Sequence, residues 1–321
     1  MSPNLGRPHE PVLVDRVTEL LAAAGPGLLV DATVGAGGHA AALLEASGPE
    51  VRLLGFDRDP QALELARERL APFGSRARLV HSGYERLSEI LTDIDDGPVL
   101  GVLYDLGLSS MQLDRAGRGF AFATSAPLDM RMDQTSSGPT AADLVNTLDV
   151  ADLVRLLREG GEDRHPHRIA RAIVAARPIS RTTELADLVA EAVPARDRHG
   201  RTHPATRSFQ ALRIAVNGEL ERFRASLPQA LELLQPGNGR VAVLAYHSLE
   251  DRIAKRLLAE AARGCICPPD LPVCGCGRVP QVRLLTRGAV QATPTEAERN
   301  PRARSVRLRA AERTTAPYPE N

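Results

Sequence analysis

The strongest constraint on the fold is an apolar run, a glycine turn and a helix, answered by a second apolar run that ends in an acid. Leu28-Leu29-Val30 leads into Asp31-Ala-Thr-Val-Gly35-Ala-Gly37-Gly38-His39, and the helix-forming stretch Ala40 to Ala46 follows. A short apolar run closed by a glycine turn that opens a helix is the first half of a βαβ unit. Twenty-two residues past Gly35, the run Val51 to Phe56 ends in Asp57. An acid there can accept hydrogen bonds from ribose hydroxyls, so turn and acid together point to a nucleoside cofactor. For the glycines alone, a structural tight turn is the alternative.

Spacing does not separate the two cofactor classes that use this architecture. A dinucleotide fingerprint would place its last glycine at position 40, where Ala stands, and that position tolerates Ala. Downstream, Val99 to Tyr104 ends in Asp105-Leu-Gly107-Leu-Ser109-Ser110-Met-Gln112. In an open α/β sheet such a strand end borders the ligand crevice. A carboxylate followed by a small, tight turn suits an exocyclic amine, because carboxylate and carbonyl oxygens can accept its N–H bonds and free its lone pair to attack a methyl group. Asp105 is the first choice for that acceptor.

Six blocks carry a more specific resemblance: the Gly35 to His39 turn, Asp105 to Gln112, Pro127-Leu-Asp129-Met-Arg131-Met-Asp133, His203-Pro-Ala-Thr-Arg207, His247-Ser-Leu-Glu-Asp-Arg252 and Asn300-Pro-Arg-Ala-Arg304. In this order they resemble the bacterial ribosomal RNA small-subunit methyltransferase H family, also called MraW, from His9 to about Arg313. The resemblance implies S-adenosylmethionine as methyl donor and N4 of one cytosine in the decoding region (P site) of 16S rRNA as acceptor. It implies that Gly37, Gly38, His39, Asp57, Asp105 and Gln112 belong to the cofactor site, so Asp105 can serve cofactor and chemistry together. Tyr84 stands where some relatives carry Phe, and its ring can flank an adenine. His39 has a second reading, as a helix-start residue that makes only a backbone hydrogen bond.

Substrate-side candidates follow. Asp129, Arg131 and Asp133 alternate with Met130 and Met132 in a loop that either closes over the target base or forms an internal salt-bridge lattice. His247 and Ser248 follow the strand-like Val241 to Tyr246 and read as polar substrate contacts, since no nucleophile elbow surrounds Ser248. Arg207 joins them from a locally basic stretch.

Composition matters here because net charge is zero, aromatics are only 3% and Trp is absent, so an RNA footprint has to be local. Val193 to Arg213 carries Arg196, Arg198, Arg201, Arg207 and Arg213 against Asp197, and Arg278 to Arg309 carries eight Arg against two Glu. These can engage phosphates or form a solvated surface, and with Lys255 the only lysine, arginine use is global. The expected partner is 16S rRNA within the small ribosomal subunit. Oligomeric state stays open, a homodimer included. Met1 to Glu10 holds no apolar signal core and no stretch is long enough to span a membrane, so the expected location is cytoplasmic.

A cytoplasmic reading argues against structural disulfides. Cys265-Ile-Cys267 and Cys274-Gly-Cys276 are two C-x-C pairs six residues apart in a Pro- and Gly-rich loop. Four thiolates there can close a zinc site, although structural zinc more often uses C-x-x-C, and a loop of reduced thiols is the alternative.

The whole pattern reads as α/β. An opening helix near Val12 to Leu21 precedes strands near 28–32, 51–56, 77–81 and 98–105, in the manner of a parallel sheet covered by helices. Helices then dominate: Ala151 to Glu159, Arg168 to Ala176, Thr183 to Ala192 and Ala205 to Asn217. Strands return at Arg240 to Tyr246 and near Ser305 to Arg309. The expectation is a Rossmann-like S-adenosylmethionine-dependent methyltransferase domain (1–114 and 217–321) with an inserted all-helical, RNA-substrate domain (115–216), and a disordered tail after Arg313.

Overall fold

A computed structural model describes residues 11–94, 96–109, 112, 117–198, 202–268 and 273–318. The chain divides into two compact units, residues 1–107 with 222–321, and residues 108–221. The expected junction at 114–115 lies outside the described residues, as do His9, Ser110 and Arg201.

In the first unit the elements are α1 (Val14–Leu21), β1 (Gly27–Asp31), α2 (Gly38–Ala46), β2 (Val51–Asp57), α3 (Pro60–Leu70), β3 (Ala77–His81), α4 (Leu87–Thr92) and β4 (Val99–Asp105). The five residues of β1 are all buried, as a strand covered by helices on both faces requires. Helix α3 starts where Asp59 accepts the Gln61 N–H at 3.1 Å and Pro60 fills the first turn.

The second unit is helical: α5 (Ala141–Thr147), α6 (Val150–Glu159), α7 (Pro166–Ala175), α8 (Thr182–Ala192), α9 (Ala195–Arg198) and α10 (Thr206–Asn217). Thr140 and Asp143 form a capping box that starts α5. The helices pack around Val145, Leu153, Leu157, Ile169, Leu185 and Phe209, all buried. Among the described residues this unit has no strand, only an isolated bridge between Pro127 and Arg181. Helix α11 (Glu219–Leu233) follows, then β5 (Arg240–Ala245), α12 (Ser248–Ala261), β6 (Val282–Leu284), α13 (Pro294–Arg299) and β7 (Arg307–Arg313).

The seven strands form one sheet in the order β3-β2-β1-β4-β5-β7-β6. Strands β1 to β5 are parallel, which with helical crossovers makes the sheet Rossmann-like. The expected all-parallel pattern fails at one edge, where β7 runs antiparallel to both β5 and β6. The reason lies in the residues: Arg307-Leu308-Arg309-Ala310 alternates, as a one-sided antiparallel strand does, whereas the central strands are largely apolar and buried on both faces. Strand β7 extends to Arg313, and β6, with a single buried residue, has too weak a pattern to predict. The tail is ordered further than expected: the Thr314 N–H donates to Gln281 O at 3.0 Å, and Arg313 lies over the Tyr318 ring. Among the described residues no helix is long and apolar enough to cross a membrane.

Beneath the carboxyl edge of the sheet, Tyr104 is fully buried with its ring edge-on to Tyr84 and Phe223. Its hydroxyl lies 2.6 Å from the Ser226 hydroxyl, which donates to Tyr84 O at 2.8 Å, so Tyr104 donates to Ser226. Ser226→Ala strands a buried phenol and is expected to cost about 1–3 kcal/mol. Adding Tyr104→Phe to that variant should restore part of the loss in denaturant titration. A double variant less stable than Ser226→Ala would show that the hydroxyl pair is not the source of the effect.

Candidate functional site

Three adjacent strands end in carboxylates, Asp57 on β2, Asp31 on β1 and Asp105 on β4, and all three lie at the carboxyl edge of the sheet. The glycine turn is anchored to both neighbouring strands. On one side Asp57 Oδ2 accepts the Gly35 N–H at 2.9 Å while Oδ1 accepts the Asp59 N–H at 2.8 Å. On the other, the Asp105 N–H donates to Thr33 Oγ1 at 2.6 Å. Gly37 caps α2 with φ +78°, a left-handed conformation, and a Cβ there would press on Ala66 and Leu70 of α3. At Gly38 a Cβ would come within 2.7 Å of Pro11. Both glycines therefore have structural reasons beside any ligand contact.

His39, the second residue of α2, is only 6% exposed, and neither ring nitrogen has a hydrogen-bond partner. Its Nε2 faces Asp105 Oδ2 at 3.5 Å, too long for a good hydrogen bond. Burial alone would lower its pKa, but the Asp105 and Asp31 carboxylates outweigh burial and raise it. The other Asp105 oxygen accepts the Tyr246 hydroxyl at 2.7 Å, and the side chain of Asp105 stays 25% exposed. Burial pushes Asp31 up to about 7, opposed by His39 and the Thr33 amide. Burial also pushes Asp57 up to about 6 against the amides of Asp59 and Gly35.

Asp31 and Tyr246 were not singled out from the sequence, although the signal was there: each sits where an apolar run meets the carboxyl edge, as Asp57 and Asp105 do. Tyr84, half-buried just past β3, packs its ring nearly perpendicular to that of Tyr104. Gln112 lies in the helical unit, where its Oε1 accepts the Ser109 N–H at 3.1 Å and so fastens the turn that follows Asp105.

Other candidates have structural partners. His247 caps α12, with Nε2 3.0 Å from Glu250 Oε1, and Ser248 is exposed in the first turn. Within the helical unit, Arg131 forks onto both oxygens of Asp129 at 2.8 and 2.9 Å, and Asp133 Oδ1 accepts from the Thr135 amide and hydroxyl. Burial would raise Asp129, but Arg131 holds it below the ordinary carboxylate range. The alternation thus forms an internal lattice, with Met130 buried beneath it.

Most of the basic stretches are also engaged. Arg213 forks onto Glu219, Arg198 binds the carbonyls of Val193 and Glu191, Arg283 pairs with Glu312, and Arg307 and Arg309 share Asp251. Arg207, near the start of α10, is exposed and makes no ion pair among the described residues. The four cysteines lie elsewhere in the first unit, between α12 and β6. A groove lined by Gly27, Arg52, Asp96 and Pro98 lies at the opposite, amino edge of the sheet, away from these strand-end carboxylates.

Such a carboxylate-lined strand edge beside a glycine turn suits a ligand with hydroxyls and positive charge. Residues 6–314 match the MraW methylase family. The ribosomal RNA small subunit methyltransferase H of Saccharopolyspora erythraea is 54% identical over 312 residues, covering 95% of this chain and 93% of the relative. The protein of that name from Mycobacterium sp. strain KMS is 53% identical over 321 residues, covering 97% and 85%. That of Geobacter sulfurreducens is 51% identical over 308 residues, covering 95% and 98%.

The raised carboxyls have a consequence for stability. Folded, Asp31 and Asp57 keep protons that the unfolded chain releases near pH 4, so the folded state binds more protons and stability falls as pH rises from about 4 to 7. Asp31→Asn removes one of these groups and is expected to shrink the drop in thermal midpoint between about pH 5 and pH 8. An unchanged pH dependence would mean that Asp31 titrates as an ordinary carboxylate.

Proposed function

Because the chain belongs to the MraW methylase family, we propose that it transfers a methyl group from S-adenosylmethionine to small-subunit ribosomal RNA, at N4 of a cytosine in the decoding region. The observation that carries this reading is the family match over nearly the whole chain, joined to the strand-edge cluster of Asp31, Asp57, Asp105 and His39. The cluster fits the cofactor on its own terms. Both ring nitrogens of His39 are buried without a hydrogen bond, and the carboxylates gather negative charge suited to a sulfonium and an ammonium. Asp57 and the turn from Gly35 to His39 are assigned to holding the adenosyl and methionyl parts, with Tyr84 beside the adenine and Gln112 bracing the turn after Asp105. S-adenosylmethionine brings a methyl group already activated by its positive sulfur.

The residues then have to orient a weak nucleophile. The lone pair of cytosine N4 is delocalised into the ring, and an oxygen that accepts an N4 proton favours the pyramidal nitrogen needed for attack. Asp105 is suited to this because Tyr246 fixes one carboxylate oxygen while the side chain keeps an exposed face. Holding amine and methyl in line supplies the rest of the acceleration. The helical segment 115–216 is assigned to the RNA substrate, with Arg207 the best-supported phosphate contact because it is exposed and makes no ion pair among the described residues. Asp129, Arg131 and Asp133 more readily shape that segment than touch RNA, since Asp129 and Arg131 pair with each other and Asp133 accepts from Thr135. For His247 and Ser248, substrate contact rests on their place directly after β5.

Mass spectrometry of 16S rRNA nucleosides from cells with and without this protein tests the reading. The N4-methylated cytidine should disappear with the protein and return with a plasmid-borne copy. Identical nucleoside profiles would reject the assignment.

Asp105→Asn keeps size but loses charge and can present a donor where an acceptor is needed. Single-turnover methylation at saturating cofactor is expected to slow by about 10²–10³-fold, the loss typical of one preorganised contact. Cofactor affinity should change far less. A normal rate once cofactor saturates would confine Asp105 to cofactor binding.

A further inference from the structure

The segment between α12 and β6 has little to hold it. Among its described residues, Ile266 and Val273 are 53% and 76% exposed, so these apolar side chains are not packed into a core. Its exit is tied back to α12, where Arg278 Nη2 donates to Glu260 O at 2.9 Å and the Gln281 N–H donates to Ala261 O at 2.7 Å. Between these ties the side chains that converge are four sulfurs. Cys265 and Cys274 Sγ are 3.3 Å apart, Cys274 and Cys276 3.5 Å, and Cys276 and Cys265 3.8 Å, and all four lie within 4.8 Å of one another.

We propose that Cys265, Cys267, Cys274 and Cys276 bind one zinc ion as a closed four-thiolate centre. Four sulfurs about 2.3 Å from a central zinc stand about 3.8 Å apart along each edge of the tetrahedron, close to the observed spacings. Disulfides would instead draw them into two pairs at about 2.05 Å. Here Cys265, Cys274 and Cys276 each approach two others.

Beside the second pair, the chain turns at Gly277 with φ +61° and open space where a Cβ would go, so glycine is needed there for its backbone angle alone. An all-sulfur set with no position left for water is a structural site, and the softness of its ligands selects zinc over magnesium or calcium. A centre with no open coordination position contributes order to the loop rather than chemistry.

The test is elemental analysis of the full-length protein, purified under reducing conditions without added metal or chelator. About one zinc per chain is expected, released stoichiometrically when the thiols are modified with a mercurial. Cys267→Ser and Cys274→Ser should each lower zinc content at least about fivefold. Should a variant fail to fold, the wild-type protein exchanged with cobalt gives an independent reading, through the charge-transfer and d–d bands of tetrahedral thiolate coordination. Protein with no bound metal and four freely titratable thiols would overturn the proposal. So would two intact disulfides, or iron in place of zinc.

Discussion

The hydrogen bond from the Gly35 amide to the Asp57 carboxylate, reaching across 22 residues of sequence, is the contact on which the geometry of the site depends. It ties the turn after β1 to the end of β2. Its counterpart on the other flank, from the Asp105 amide to Thr33, ties the same turn to β4. Backbone bonds run alongside both, Val34 N–H to Phe56 O at 2.8 Å and Ala32 N–H to Leu103 O at 2.9 Å. A loop that would otherwise be free is clamped between two strands, and His39 and the start of α2 are carried to a fixed place over the sheet edge.

That clamp shapes the electrostatics. Three acids close together are costly unless they are solvated, paired or protonated. Asp57 satisfies both oxygens with amides, Asp105 shares its charge with Tyr246 and keeps some exposure, and Asp31, the most enclosed, retains its proton to about neutral pH. A positively charged ligand would relieve this strain, so the arrangement favours a cation by the same physics that destabilises it when empty of one.

The sheet was largely legible because its central strands are short, largely apolar and punctuated by glycine or acid. Val51 to Phe56 and Val99 to Tyr104 could hardly be anything else. Legibility failed where burial is one-sided: the alternation in β7 carried its antiparallel direction, yet the run of arginines masked it. In the site, Asp57 and Asp105 were found through spacing and turn context, whereas Asp31 was read as part of the glycine motif and Tyr246 only as the end of a strand. Their importance comes from neighbours on other strands, which a linear pattern does not contain. The arginine stretches show the reverse. Asp251, Glu219 and Glu312, distant in sequence from several of their partners, neutralise much of what looked like a basic patch.

The position of the helical unit also bears on how the molecule is made. The first unit is interrupted two residues after Asp105, and β4 receives its neighbour β5 only when Arg240 arrives, 135 residues later. At ribosomal speeds of about 5–20 residues per second, that leaves roughly 7–27 s between the two strands. Throughout that interval a largely apolar strand has one hydrogen-bonding edge unpaired, the condition that invites association with other chains. The intervening helices can form from local contacts in far less time. The nascent chain therefore acquires its second unit before its first is closed, and its greatest exposure to aggregation falls in the middle of synthesis rather than at its end.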